Sequence, residues 1–319
     1  MADIILHHYP TSPFSEKIRL VLGYKELAWK SVIIPVIMPK PDVLALTGGY
    51  RKTPFMQIGC DVYCDTALIC DLLEHLQPAP TLYPAQQKGL ARVLAQWADS
   101  TLFWAAMGYN LQPKGAASMF EGTPAEVAKA FGADRAAMST GMTRIRPGDA
   151  AAAYKSYLRR IASMLDGQDF LMGAAPCVAD FAVYHPLWFT RKRVPVMAGI
   201  LDATPTVLAW MDRMNAIGHG GMEKYSATEA IAACADSAGA AAHFGESSDD
   251  YFQDEHGIAA GSEVTIAAES FGQEATAGVL LAASRTRYTL RREDPRAGVV
   301  HVHFPRAGYV LKKADGVAV

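Results

Sequence analysis

The segment Tyr9-Pro10-Thr11-Ser12-Pro13-Phe14-Ser15 holds the densest chemistry in the 319-residue chain. It follows the apolar run Ile4 to His7, which reads as a strand. It precedes Ser15 to Tyr24, where Ile18, Val21 and Leu22 recur at helical spacing. A hydroxyl at Ser12 therefore sits where a strand runs into a helix N-terminus, beside free backbone N–H groups and the positive end of the helix dipole. Such a place favours a bound anion. The same residues fit a plain N-cap, with Pro13 in the first helical position.

Two other groupings bear on metal binding. Cys60 and Cys64 are four apart, but no second Cys/His pair lies nearby to complete four ligands. His301-Val302-His303 places two imidazoles on one face of a strand, again without an evident third ligand. No metal is expected. Arg285, Arg287, Arg291, Arg292 and Arg306 could meet an anionic partner, nucleic acid included. The favoured reading is that they face the acidic stretch upstream and make an intramolecular or intersubunit contact.

The elements that must position these groups fall into three stretches. Residues 1–80 alternate short strands and helices: Trp29 to Ile34 is a second strand, and Phe55 to Ile58 and Val62 to Cys64 flank a hairpin-like turn. A helix then opens at Thr66, a plausible N-cap, with Leu68, Ile69, Leu72, Leu73 and Leu76 on one face. Gln77 to Pro84 reads as a linker. Residues 85–221 carry helical patterns over Gln87 to Met107, Pro124 to Met138, Pro147 to Leu165, Val178 to Arg191 and Thr206 to Ile217. Residues 222–319 open with a helix over 226–241 and an acidic, loop-like stretch from Glu246 to His256. Five short strands follow, from Val264 to Lys312, and suggest a small barrel. The fold class is α+β multidomain.

Length alone allows two or three domains at roughly 150 residues each. Hydrophobic residues make up 50% and charged residues 19%, which excludes intrinsic disorder. The net charge of −2 excludes a general polyanion binder. It conceals a net −10 over residues 221–283 beside a net +6 over 284–313. Five cysteines, an odd number, argue against a disulfide framework. The start has no basic leader, and no apolar stretch is long enough for a bilayer, so a cytoplasmic protein without membrane contact is expected.

The first 80 residues resemble the thioredoxin-like N-terminal domain of the glutathione transferase superfamily, and the likeness runs through the helical stretch to about residue 218. Ser12-Pro13-Phe14-Ser15 stands where thiol-redox relatives have Cys-Pro-x-Cys and serine-type transferases have their activating serine. Thr53-Pro54, before a strand, matches the family's cis-proline. Asp65-Thr66 matches the Glu/Gln-Ser pair that holds the γ-glutamyl group, with a shorter acid. Gly173-x-x-x-Cys177-Val178-Ala179-Asp180 resembles the family's N-capping box, with Cys177 in place of Ser or Thr and Asp180 structural.

The resemblance implies that glutathione is the co-substrate and that its thiol is held as the nucleophilic thiolate. Ser12 would donate a hydrogen bond to that sulfur, with Tyr9 the competing activator. Thr53 pairs with the cysteinyl part, Asp65 and Thr66 take the γ-glutamyl end, and Lys40 and Lys52 are the candidate cations for the glycine carboxylate. Trp104, Met107 and Tyr109 would line a pocket between the domains for a small hydrophobic electrophile. The implied activity is glutathione transfer of the detoxification type, by a homodimer. Isomerisation and dehalogenation share the same site. The alternative is a non-catalytic glutathione-binding or adaptor protein that uses the C-terminal module, outside the resemblance, to recruit a partner.

Overall fold

The structure is a computed structural model and describes residues 3–237 and 252–314. The first stretch folds as β1 (Ile5–His8), α1 (Pro13–Tyr24), β2 (Trp29–Ile33), α2 (Pro41–Thr47), β3 (Phe55–Ile58), β4 (Asp61–Cys64) and α3 (Thr66–Leu76). β1 pairs parallel with β2 and antiparallel with β3, and β3 pairs antiparallel with β4. This is the thioredoxin-like arrangement. Its alternation builds two cores, because neighbouring strand residues face opposite ways. Leu6, Met56 and Tyr63 join Ile18, Leu22, Leu68, Ile69 and the helical region on one face. Ile5, Phe55 and Val62 join the C-terminal strands on the other.

The helical stretch runs α4 (Lys88–Trp97), α5 (Phe103–Asn110), α6 (Pro113–Met119), α7 (Ala125–Met138), α8 (Pro147–Met164), α9 (Val178–Trp188) and α10 (Pro205–Ala216). The single helix expected over Gln87 to Met107 is interrupted, because Ala98–Leu102 widens into a π-helical turn before α5 resumes. Asp180 at the start of α9 is structural. Its Oδ2 accepts from the Cys177 N–H at 3.0 Å, and its Oδ1 from Leu171 N–H and Trp210 Nε1 at 2.9 Å.

After β5 (Met222–Tyr225) and α11 (Ala227–Asp236), the chain forms β6 (Glu263–Ala268), β7 (Thr276–Ala283), β8 (Arg287–Asp294), β9 (Gly298–Pro305) and β10 (Tyr309–Lys313). The helix expected over 226–241 is seen as α11; residues 238–241, and 246–251 of the acidic stretch, lie outside the described residues. The strands are as expected but do not close a separate barrel. They extend the first sheet into one of ten strands, ordered β10-β6-β7-β8-β9-β4-β3-β1-β2-β5. The reason is edge chemistry: the open N–H and C=O row of β4 takes β9 as a parallel partner, and β2 likewise takes β5.

This topology fixes where the chemistry lies. His7 pairs with Phe55 and Phe55 with Cys64, so the end of β1, the start of β3 and the end of β4 meet at one edge of the sheet. Because β9 runs parallel to β4, with Tyr63 opposite His303, the chain leaving β9 arrives at that edge too. Tyr309 opposite Ala268 then brings the β6–β7 connection, residues 269–275, to the same end.

Candidate functional site

Ser12 is the N-cap of α1: its Oγ accepts the Ser15 backbone N–H at 3.2 Å, and Pro13 follows in the first turn. Its proton and a second lone pair remain for another partner, and its backbone N–H donates to the Tyr9 carbonyl at 3.2 Å. Burial pushes the Tyr9 phenol up from its ordinary value, against the pull of Arg135, whose Nη2 donates to Tyr9 Oη at 3.2 Å. Tyr9 thus stays a neutral donor at physiological pH.

Two buried hydroxyls at this edge, Ser15 Oγ and Thr53 Oγ1, have no hydrogen-bond partner among the described residues. A buried polar atom without a partner costs about 1–3 kcal/mol, so such atoms call for a ligand or water. The Thr53-Pro54 bond is cis.

Asp65, not Thr66, is the N-cap of α3. It has φ +78°, and its Oδ1 accepts the Ala67 N–H at 3.0 Å. Thr66 is the first helical residue. Its Oγ1 accepts from Lys17 Nζ at 3.1 Å, which leaves the hydroxyl proton available for a carboxylate. Lys17 is fully buried; burial would lower its pKa, but Asp99 at 2.6 Å reverses this and holds it charged. Asp99 also receives His185 Nε2 at 2.9 Å.

Of the two candidate cations, Lys40 stands at the residue before α2, donates to the Arg51 carbonyl at 3.3 Å and lies 5.9 Å over the Tyr9 ring. Burial pulls it down to about 8. Lys52 lies 4.7 Å over the Tyr309 ring and 5.4 Å over Tyr50; burial lowers its pKa, while Asp65 opposes the shift.

The comparisons with known proteins bear on the family and the fold. Residues 6–81 match the model of the glutathione S-transferase N-terminal domain, and residues 125–213 that of the C-terminal domain. The solved structure of a GST-like protein from Pseudomonas syringae is 43% identical, with a TM-score of 0.78, and the match covers 98% of this chain and 100% of that one.

The chain belongs to the glutathione S-transferase family.

FtsZ-localized protein A of Caulobacter vibrioides is 27% identical over 184 residues, 56% of this chain and 72% of that one. The Tau class glutathione S-transferase of mango, Mangifera indica, shares the fold at 16% identity and a TM-score of 0.51, over 67% of this chain and 89% of that one. The two family models end at residue 213, so β6 to β10 lie beyond them, whereas the Pseudomonas match extends through these strands.

The three residues expected to line an electrophile pocket are not brought together in this transferase-family chain. Trp104 meets Phe271 of the β6–β7 connection, ring centroids 5.3 Å apart. Met107 is buried in the main core. Tyr109 packs on Tyr154 and donates to the Met197 carbonyl at 3.2 Å, inside the helical region. The cause is helical geometry: five residues turn the helix by about 140°, which carries Tyr109 away from Trp104.

Sequence reasoning missed Arg51, which ties the first stretch to α7 through Asp134 and to the C-terminal region through Glu274, each at 2.6 Å. These side chains line an open cavity of about 490 Å³ with Met38, Leu44 and Ala137. It also missed Tyr309, Phe271 and Lys17; a strand period or a helix face gives no local sign of such long-range partners.

His301 and His303 do share a strand, and the residue they meet is Asp61 across the β4–β9 pairing. His301 Nδ1 stands 3.4 Å from it and His303 Nε2 2.9 Å. Cys60, Asp61 and His301 hold donor atoms within 4.8 Å of one another. All five cysteines are buried as thiols rather than disulfides. Arg306 meets the acidic stretch at Glu255, as favoured. Arg291 and Arg292 instead pair along their own strand, with Glu293 and Asp294. Among the described residues, no helix is long and apolar enough to cross a membrane.

Proposed function

We propose that this chain binds glutathione along the edge formed by Tyr9, Ser12, Thr53, Asp65 and Thr66 and activates its thiol for attack on a small electrophile. The observation that carries this reading is the pair of partnerless buried hydroxyls, Ser15 Oγ and Thr53 Oγ1, together with a Ser12 hydroxyl that accepts from the Ser15 N–H and keeps its own proton to give. A hydrogen bond to a charged sulfur contributes about 1.5–3 kcal/mol, which lowers a thiol pKa by roughly 1–2 units. From about 8.5, that raises the thiolate at neutral pH from a few per cent to about a quarter or more. The gain is modest, so placement of the electrophile must supply much of any rate enhancement. Because Ser12 cannot form a disulfide, thiol–disulfide exchange at this position is not part of the function.

A second reading, a binding protein without turnover, draws support from the match to FtsZ-localized protein A. A screen of model electrophiles separates the two. Glutathione-dependent turnover that is lost in Ser12→Ala supports the transferase; binding without turnover supports the second reading.

The expected homodimer also belongs to this proposal. Leu90 and Val93 on α4 are 60% and 64% exposed and border an apolar groove with Leu94, Trp97, Met164 and Met172. An exposed apolar patch of this kind suits a protein partner rather than a charged tripeptide.

A further inference from the structure

The C-terminal strands bring two side chains to the edge where the site lies. Tyr309, the first residue of β10, donates its hydroxyl proton to Asp65 Oδ2 at 3.0 Å. The Asp65 N–H donates to Tyr50 Oη at 3.1 Å, and the Tyr50 and Tyr309 rings pack with centroids 6.5 Å apart, so both phenols meet Asp65. Burial raises the pKa of both phenols well above its ordinary value, which keeps them neutral donors. An ionised carboxylate has about four acceptor sites. Ala67 N–H takes one on Oδ1 and Tyr309 one on Oδ2, which leaves one on each oxygen.

The connection that precedes β7 is fastened over the neighbouring part of the site. Gly272 donates its N–H to the Met138 carbonyl at 2.9 Å. A Cβ on Gly272 would stand 3.0 Å from both Lys52 Cγ and Met138 Cε. Thr276 Oγ1 accepts from the Gly49 and Tyr50 backbone N–H groups at 3.2 Å and donates to the Thr47 carbonyl at 2.9 Å. These contacts hold the C-terminal strands against the loop that carries Tyr50, Lys52 and Thr53, so Tyr309 has a fixed reach to Asp65.

We propose that Tyr309 is a positioning residue of the glutathione site: its hydroxyl holds the Asp65 carboxylate so that the free acceptor sites receive the γ-glutamyl ammonium. The C-terminal strands, which lie beyond both family models, thereby become part of the binding site. Without the Tyr309 proton, Asp65 keeps its cap to Ala67 but loses the restraint on its second oxygen. An ammonium then has to order that oxygen itself, which weakens binding. This inference rests on the reading of the edge as a glutathione site.

The test is calorimetric titration of the full chain with glutathione and with its deaminated analogue, in which the γ-glutamyl ammonium is replaced by hydrogen. Tyr309→Phe is expected to weaken glutathione about 5- to 20-fold, the share of one charge-assisted hydrogen bond, and to leave the analogue within about twofold. In an Asp65→Asn background the same substitution has no further effect on glutathione. Equal losses for both ligands, or unchanged glutathione affinity, overturn the positioning role. Absence of glutathione binding to the unaltered chain overturns the glutathione reading, and this inference with it. If Tyr309→Phe does not accumulate as folded protein, Tyr309→Leu, which likewise lacks a donor, is read through the same ratio of affinities: a ratio unchanged from the unaltered chain overturns the proposal, and a reduced ratio supports it.

Discussion

Ser12 Oγ stands 3.2 Å from the Ser15 backbone nitrogen and accepts its proton, so the residue that would activate a thiol also caps α1. The two roles separate in Ser12→Ala. Loss of the cap costs about 1 kcal/mol of stability, with or without ligand, as read by urea unfolding. Glutathione affinity stays within a few-fold, while the pKa of the bound thiol rises by roughly 1–2 units, as read by ultraviolet thiolate absorbance. Unchanged absorbance would move the activating role to Tyr9.

Lys17 and Asp99 are held at 2.6 Å with Lys17 fully buried, and Lys17 also supports Thr66. Lys17→Met leaves Asp99 without its charge partner and is expected to cost about 3–5 kcal/mol. The check is the denaturant midpoint. A loss below about 1 kcal/mol would show that His185 alone satisfies Asp99.

The local elements around these residues were legible because their signals are local. Ile18, Val21 and Leu22 mark α1, and Pro147 begins α8 as its position suggests. The start of α3 was read one residue late, at Thr66 instead of Asp65, because both are capping residue types. The C-terminal strands were legible as strands. Their partner was not, since which open edge a strand joins is decided by long-range assembly. For the same reason the Tyr309–Asp65 contact, 244 residues apart in sequence, left no trace in any pattern. That Trp104 and Tyr109 point to different sides of α5 follows from helical geometry that the sequence does contain.

Stability should fall in mild acid. Burial pulls His7 down to about 4, although its hydrogen bond to Gln57 opposes this, and pulls His8 down to about 3, with the Arg19 charge adding to the shift. An unfolded histidine titrates near ~6.5, so between these values the unfolded chain binds more protons. The stabilisation is therefore complete above about pH 6.5 and is lost as pH falls towards the folded values, at up to about 1.4 kcal/mol per pH unit for each group. Urea midpoints at pH 7.5 and pH 5 read this, and His7→Phe should flatten the slope by about one proton. A midpoint that rises on acidification would contradict the assignment.

Gly49 lies where a Cβ would stand 2.0 Å from the Ala275 carbonyl oxygen. Backbone on backbone cannot give way cheaply, so Gly49→Ala should cost about 1–3 kcal/mol and pull the 269–276 segment from its seat. Hydrogen exchange checks this: the Gly272 amide, bonded to Met138, should exchange faster than in the unaltered chain. Unchanged protection would mean that the close approach is not needed to hold the C-terminal strands.

Titration of the full chain with glutathione in a calorimeter tests the central claim most directly. Saturable one-site binding is predicted in the micromolar to millimolar range, retained in Ser12→Ala and weakened about tenfold in Asp65→Asn, where one charge-assisted bond to the ammonium is lost. No heat and no thermal protection at millimolar glutathione would contradict it.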